Sequence, residues 1–262
     1  MLLRRVTKHV KDQNWFAVFI DFLIVVVGIL IAFQITEWNE ASQDRAIEKD
    51  YKVLLIEDLK TIKDELIEQI EHEEFIIKHS ASSLKILDDM ATMPQTELFG
   101  QTLTLITGRR TLKLESPAFT EIKGAGRLTV IQNNALRKEI ITYFDDLSRS
   151  VTVVQKNNDY FVESFTAFLK EIGIGIIPLN QELCDPYSKN LPCNFSHHFQ
   201  KAMNGAKTNS ADVIFNAPID DTIWIQFRSH IAYRAMGAVS NLQRSKTTLE
   251  ETEDLSNKLE NK

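Results

Sequence analysis

Residues 21–40 read DFLIVVVGILIAFQITEWNE. A single carboxylate opens an apolar run that closes on Trp38-Asn39-Glu40. Taken from Trp15, the run is WFAVFIDFLIVVVGILIAFQI, and its only strongly polar residues are Asp21 and Gln34. About 21 residues rising ~1.5 Å each make a helix of ~31 Å, the thickness of a bilayer's hydrocarbon core. Trp15 and Trp38 stand at the two ends, where amphipathic rings favour the headgroup region. A core helix of a globular domain would be shorter and would carry a polar stripe. A cleaved signal peptide needs small residues at its cut. The exit Ala32-Phe33-Gln34-Ile35-Thr36-Glu37 offers no such site. The reading is an uncleaved anchor whose first partner is the lipid bilayer.

The flanks give an orientation. Arg4, Arg5, Lys8 and Lys11 against Asp12 make residues 1–14 a net +3, which leaves −9 for the rest of a chain at −6. Glu37, Glu40 and Asp44 follow the apolar run before Arg45. Cytoplasmic flanks are enriched in Lys and Arg. The expectation is a bacterial inner-membrane protein with a cytoplasmic N-terminus and a periplasmic main domain. An acidic body argues against binding a phosphate backbone, so no nucleic acid is expected.

Beyond Glu40 the chain runs to Ala91 without Pro or Gly. Leu55, Leu59, Ile62, Leu66 and Ile70 recur at steps of 4, 3, 4 and 4, one helical stripe. The spacing predicts a stalk helix of about 40 residues, ~60 Å long, continuous with the anchor. Pro94 marks its end or a later break. A short helix fits ELFGQTLTLITG, and RRTLKLESPAF reads as a connector. Ser116-Pro117 starts another helix, a capping hydroxyl followed by Pro in the first turn. Gly124-Ala125-Gly126 stops it. Asn133 and Asn134 can cap a long helix whose inner face is Ile140, Phe144, Leu147, Val151, Val154 and Phe161. Residues 173–217 are the least regular, with a short helix near Phe195–Met203 and a strand or extended piece at ADVIF. The last long helix carries Ile223, Phe227, Ile231, Arg234, Ala238 and Leu242 on one side. The fold class is therefore all-α, one membrane helix continuing into an elongated antiparallel bundle. Its divisions are a basic tail at 1–14, an anchor at 15–38, a bundle at 39–245, and a polar helix end or frayed tail at 246–262.

Two stretches together resemble a known family. They are VVGILIAFQITEWNE at 26–40 and SPAFTEIKGAGRLTVIQNNALRKEIITYF at 116–144. The family is a widespread, functionally uncharacterised group of bacterial single-pass membrane proteins. Its motif matches at Phe119, Glu121, Gly126, Leu128, Ile131, Asn133, Leu136 and Arg137. Ile122 stands where Leu is usual, and Lys-Gly-Ala where Lys-Ser-Ser is commoner. The resemblance covers the anchor, the stalk and the middle motif, and not residues 173–217. It implies topology and a helical fold and brings no catalytic residue.

Several residues invite a function. Asp21, Gly28, Ala32 and Asn39 fall on one face of the anchor at ~100° per residue. Small residues let membrane helices approach, so this face is expected to contact another helix. Asp21 is either a paired group at depth or one that reaches the cytoplasmic interface, being six residues from Trp15. Phe119, Glu121, Gly126, Asn133 and Arg137 form a corner, in which Arg137 and Glu121 are within reach of pairing. Gly124-Ala125-Gly126 with Arg127 is an anion-binding turn or, more simply, a helix C-cap. Cys184 and Cys193 sit in ELCDPYSKNLPCNF and read as a disulfide staple, with unpaired thiols or a half-made metal site as the alternatives.

EQIEHEEF at 68–75 gathers carboxylates around His72, yet the residue three before it is Gln69 and the one four after it is Ile76. Neither a di-iron nor a zinc-protease spacing is present, and the run reads as a solvated helix face. No metal, cofactor or catalytic residue is expected. Three functions fit: an accessory subunit docking on another envelope protein, a ligand sensor signalling through a partner, or an envelope enzyme; the expected partner is another membrane protein or, by self-association, a second copy of the chain. They rank in that order, because the short N-terminal tail holds no output domain.

Overall fold

A computed structural model of the chain describes residues 15–89, 96–175, 177, 179, 198–199, 201–204, 206 and 214–261. The basic tail, Pro94, Cys184 and Cys193 lie outside the described residues. The described residues are all-α, with no strand among them.

Helix α1 spans Trp15–Asp88 without interruption, 74 residues and about 110 Å at 1.5 Å per residue. Nothing in its sequence breaks it, since it has no Pro and a single Gly, at position 28. Its apolar first third is long enough to cross a membrane, and none of the most apolar 18-residue window is buried by the rest of the chain. Trp15 and Trp38 are both about 70% exposed, at 70% and 72%. From Ile47 and Tyr51 onward the same helix turns one face into a core.

Helix α2 is Thr96–Ile106. An extended segment follows to Ser116, and it substitutes for a helix in the packing. Leu112, Leu114 and Ser116 are buried while Thr111, Lys113 and Glu115 are exposed, the period-2 alternation of an extended chain. Helix α3 is Pro117–Gly124, capped by Ser116, whose Oγ accepts from Phe119 N. Helix α4 is Asn134–Asn157, capped by Asn133. A π turn at Asn158–Val162 joins it to α5, Glu163–Glu171. Helix α6 is Thr222–Glu260, capped by Asp221.

The order is out, back, out, back. Asp58, Glu65 and Ser83 of α1 meet Ser116, Arg110 and Thr102, so the 96–116 segment returns antiparallel. Tyr143, Ser150 and Asn157 meet Thr252, Thr248 and Asn241, so α4 and α6 run antiparallel. Lys63, Glu73 and Asp88 of α1 meet Glu253, Asn241 and Arg228, so α6 comes back along α1. The anticipated polar end of α6 stays helical through Glu260, and Thr248, Thr252, Leu255 and Leu259 of it are buried. Ile214 and Phe215, expected in a strand or extended piece, lie in a helical turn.

The core has two apolar clusters. A near cluster, beside the exposed apolar part of α1, gathers Leu55, Leu59, Ile62 and Leu66 with Ile122, Leu136, Ile140 and Leu255. A far cluster gathers Leu87, Phe99, Leu103, Phe165, Phe227 and Ile231.

Candidate functional site

Between the two clusters α1 keeps its inward step but changes chemistry. After Ile62 and Leu66 the next inward residues are Gln69, Glu73, Ile76, Ser80 and Ser83, all at most 1% exposed. His72 is 5% exposed beside them. The expected solvated face at 68–75 is therefore corrected: Gln69, His72 and Glu73 point into the bundle, while Glu71 and Glu74 face out.

This polar layer ties together every segment that crosses it. Glu73 Oε1 accepts from Gln69 Nε2 at 2.7 Å and from Asn241 Nδ2 at 3.0 Å. Asn157 Nδ2 donates to Asn241 Oδ1 at 2.8 Å. Asn158 Nδ2 donates to the carbonyl of Arg110 at 3.1 Å. Arg110 itself reaches Glu65 and Glu68 of α1 at 2.8 and 2.7 Å. Arg234, at 1% exposure, donates from Nε to Ile106 O and from Nη2 to Gly108 O, both at 2.9 Å. The first carbonyl ends α2 and the second lies two residues past it, where helical partners run out and a positive charge is favoured. This explains why an arginine occupies the inward stripe of α6.

The π turn sits at this level. A π turn holds one more residue per turn than α, and such turns recur where a helix must widen locally. Gly237 of α6 meets it closely: a Cβ there would lie 2.7 Å from the Phe161 ring. Only glycine admits that approach without displacement.

The electrostatics follow from burial. Burial pulls His72 down to about 4, and the positive charges of Arg234 and Arg110 push in the same direction. Burial raises the Glu73 carboxyl above the ordinary range, against Arg234, Asn241 and Gln69, which favour its charge. Burial lowers Arg234 to about 10, with Glu73 opposing. Gln69 Oε1, His72 Nε2, Glu73 Oε2 and Ser245 Oγ have no hydrogen-bond partner among the described residues. Chemically the layer is a set of buried donors and acceptors that fixes register. Among the described residues no three His, Cys, Asp or Glu side chains are grouped to hold a metal ion.

The residues anticipated from sequence fall in two other places. Gly28, Ala32 and Asn39 are exposed on α1 and Asp21 partly so, with open space around Gly28. At ~100° per residue their face points away from the side of α1 that enters the bundle. Phe119, Glu121, Gly126, Asn133 and Arg137 lie between α3 and the first turn of α4, each with partners of its own. Phe119 stacks on Phe144 with centroids 4.2 Å apart. Gly126 has φ +67, and Arg127 N returns to Ile122 O while Gly126 N returns to Lys123 O. That is a Schellman C-cap, the simpler of the two readings of the turn. Asn133 Oδ1 accepts from Ala135 N and Leu136 N. Arg137 binds the Ile131 carbonyl at 3.0 Å and Asn134, while Glu121 accepts from Tyr51 OH at 3.0 Å. The anticipated Arg137–Glu121 pairing gives way to these partners. Asp58, unremarked in the sequence, fastens the corner to α1 by accepting from Ser116 Oγ at 2.6 Å and Ala118 N at 2.9 Å.

Comparison with protein families, with curated proteins and with solved structures finds no match to this chain. The class that the fold defines is an all-α protein whose long first helix is apolar and uncovered at its N-terminal end.

Proposed function

We propose that this chain is a non-enzymatic, membrane-anchored extracytoplasmic protein that serves as an accessory or interaction subunit of an envelope complex. One observation carries the reading. The helix with the exposed apolar third is also the central helix of the bundle, unbroken from Trp15 to Asp88. A partner held against the anchor is thereby placed at a fixed bearing to the bundle, with no hinge between them. The charge asymmetry around the apolar run supports a cytoplasmic N-terminus and a periplasmic bundle in a bacterial inner membrane. The resemblance of 26–40 and 116–144 to single-pass membrane proteins supports the same topology. The anchor face of Asp21, Gly28, Ala32 and Asn39 is open to a second membrane helix, as is the rest of the uncovered span, and its small residues favour close approach.

Two experiments test this. A cysteine introduced at position 60 is expected to label with an impermeant reagent from outside the inner membrane, and one at position 6 is not. The reverse pattern overturns the orientation. Crosslinking of the natively expressed, tagged protein in its membrane, followed by mass spectrometry, is expected to return a reproducible heterologous protein. Recovery of this chain alone removes the accessory role.

A further inference from the structure

We infer that the outer face of α6 is a docking surface for a second copy of this chain, standing parallel beside the first in the same membrane. The inference takes its geometry from the anchored reading above. Between Arg228 and Arg244 the helix reads SHIAYRAMGAVSNLQ. Its one arginine, Arg234, is turned into the core, and His230 stacks on Phe168 with centroids 4.1 Å apart. What remains outside is uncharged. Tyr233, Met236 and Val239 are exposed at 55, 50 and 52%, and Ile225, one turn before the stretch, at 70%. Ile225, Ser229, Ala232, Met236 and Val239 recur at steps of 4, 3, 4 and 3, the spacing of a seam between two parallel helices. A notch of about 170 Å³ opens beside this seam, walled by the rings of Tyr160, Phe161, Phe165 and Tyr233 together with Ser164, Ser229 and His230.

The occupant follows from symmetry and charge. Two anchored copies share one orientation, so a two-fold contact sets each residue against itself. Any charge on such a seam meets its like charge. The α6 seam positions carry none over about 22 Å of helix, and Arg228 at their edge is paired with Asp88 of its own chain. The other long exposed face, on α1, fails the same test. Asp50, Glu57, Asp64 and Glu71 repeat every seven residues along it, all exposed and none in an ion pair with another described residue. Self-contact there would set four carboxylates against four. Lipid is excluded by height. The seam lies along α1 from Glu73 to Asp88, and Glu73 is 35 residues beyond Trp38, about 50 Å of helix. A contact about four turns long approaches the roughly 1,000 Å² of a specific interface. Confinement of both copies to one membrane raises their effective concentration and compensates for modest area.

The test uses the full chain in its own membrane. A photocrosslinking amino acid replaces Met236 or Val239, and in a separate chain Glu57. Irradiation is expected to give a species of twice the chain mass from 236 and 239 and none from 57. Ala232→Glu, at an exposed seam position, is expected to cut the yield at Val239 at least tenfold without changing the melting temperature. Absence of the double-mass species, a crosslink confined to one chain, equal yield from position 57, or indifference to Ala232→Glu overturns the inference. An adduct of position 236 with a different protein also overturns it, and leaves the accessory role standing. A dimer at 236 with no heterologous partner at any anchor position supports this inference and removes that role instead.

Discussion

The near cluster and the polar layer are built on the same helix faces, at the same 3–4 spacing, from opposite chemistry. Leu55, Leu59, Ile62 and Leu66 give way one turn later to Gln69 and Glu73. In the near cluster stability comes from area removed from water, and neighbours of similar volume are interchangeable. In the polar layer each group has a fixed partner, and volume does not compensate for a lost one. Apolar contacts alone would tolerate α6 sliding by a turn along α1. Asn241 on Glu73 and Arg234 on the end of α2 do not. The difference assigns adhesion to one region and register to the other.

The largest effect is expected where the two chemistries are exchanged. Arg234→Met keeps much of the volume and removes the hydrogen bonds to Ile106 and Gly108 and the positive charge near Glu73. Leaving a buried carboxylate and two carbonyls without it is expected to lower stability by about 3–5 kcal/mol. Urea denaturation of the solubilised chain reads this directly, and a loss under about 1 kcal/mol would erase the distinction between the regions. Adding Glu73→Leu to that variant is expected to return part of the loss, since the stranded carboxylate is then gone. Leu66→Ala in the near cluster sets the scale, at about 2–5 kcal/mol from area and cavity together, whereas Leu66→Met stays below about 1.5 kcal/mol.

An intermediate effect comes with pH. His72 is held near 4 in the folded chain, against an ordinary value of 6.5. Its contribution is complete above pH 6.5 and is lost as pH falls through about 4, because the unfolded chain takes up the proton first. The window is worth about 3 kcal/mol for this group alone. Glu73 acts with the opposite sign. Its raised pKa adds stability below the ordinary carboxylate range, and that stability is lost as pH rises through the folded value. His72→Gln isolates the first term. Wild type is expected to lose its advantage over this variant between pH 7 and pH 4, and a constant difference would mean that His72 is hydrated in the folded chain.

Much of the architecture was legible in the residues. The caps at Ser116 and Asn133, the turn at Gly126 and the unbroken run from Trp15 follow from local chemistry. So does the inward face of α6, Arg234 included. The polar layer is harder to read, because its residue types are those of a solvated face. Gln69, Glu73, Ser80 and Ser83 continue the stepping of Leu55 through Leu66 without a break. Periodicity was the better guide there than residue type. The partners of Arg137 and Glu121 were not legible, since they depend on how α1 passes the corner, where Tyr51 takes the carboxylate first. The π turn has no signature in the sequence pattern at 154–165. It answers to Gly237 on a helix some 75 residues away.

The smallest expected effect is the sharpest probe of what the layer is for. Glu73→Gln keeps the shape and keeps an oxygen to accept from Gln69 and Asn241. It places an amide where Oε2 has no partner among the described residues. It loses attraction to Arg234 and loses equally the penalty of burying a charge, which is the dominant influence on this carboxyl. The two changes oppose each other, so stability at pH 7 is expected to shift by less than about 1 kcal/mol. If register is all that the layer provides, the variant also crosslinks to its partners with undiminished yield. If stability holds while crosslinking falls, the carboxylate itself has a role in the assembled state, and the polar layer belongs to function as well as to folding.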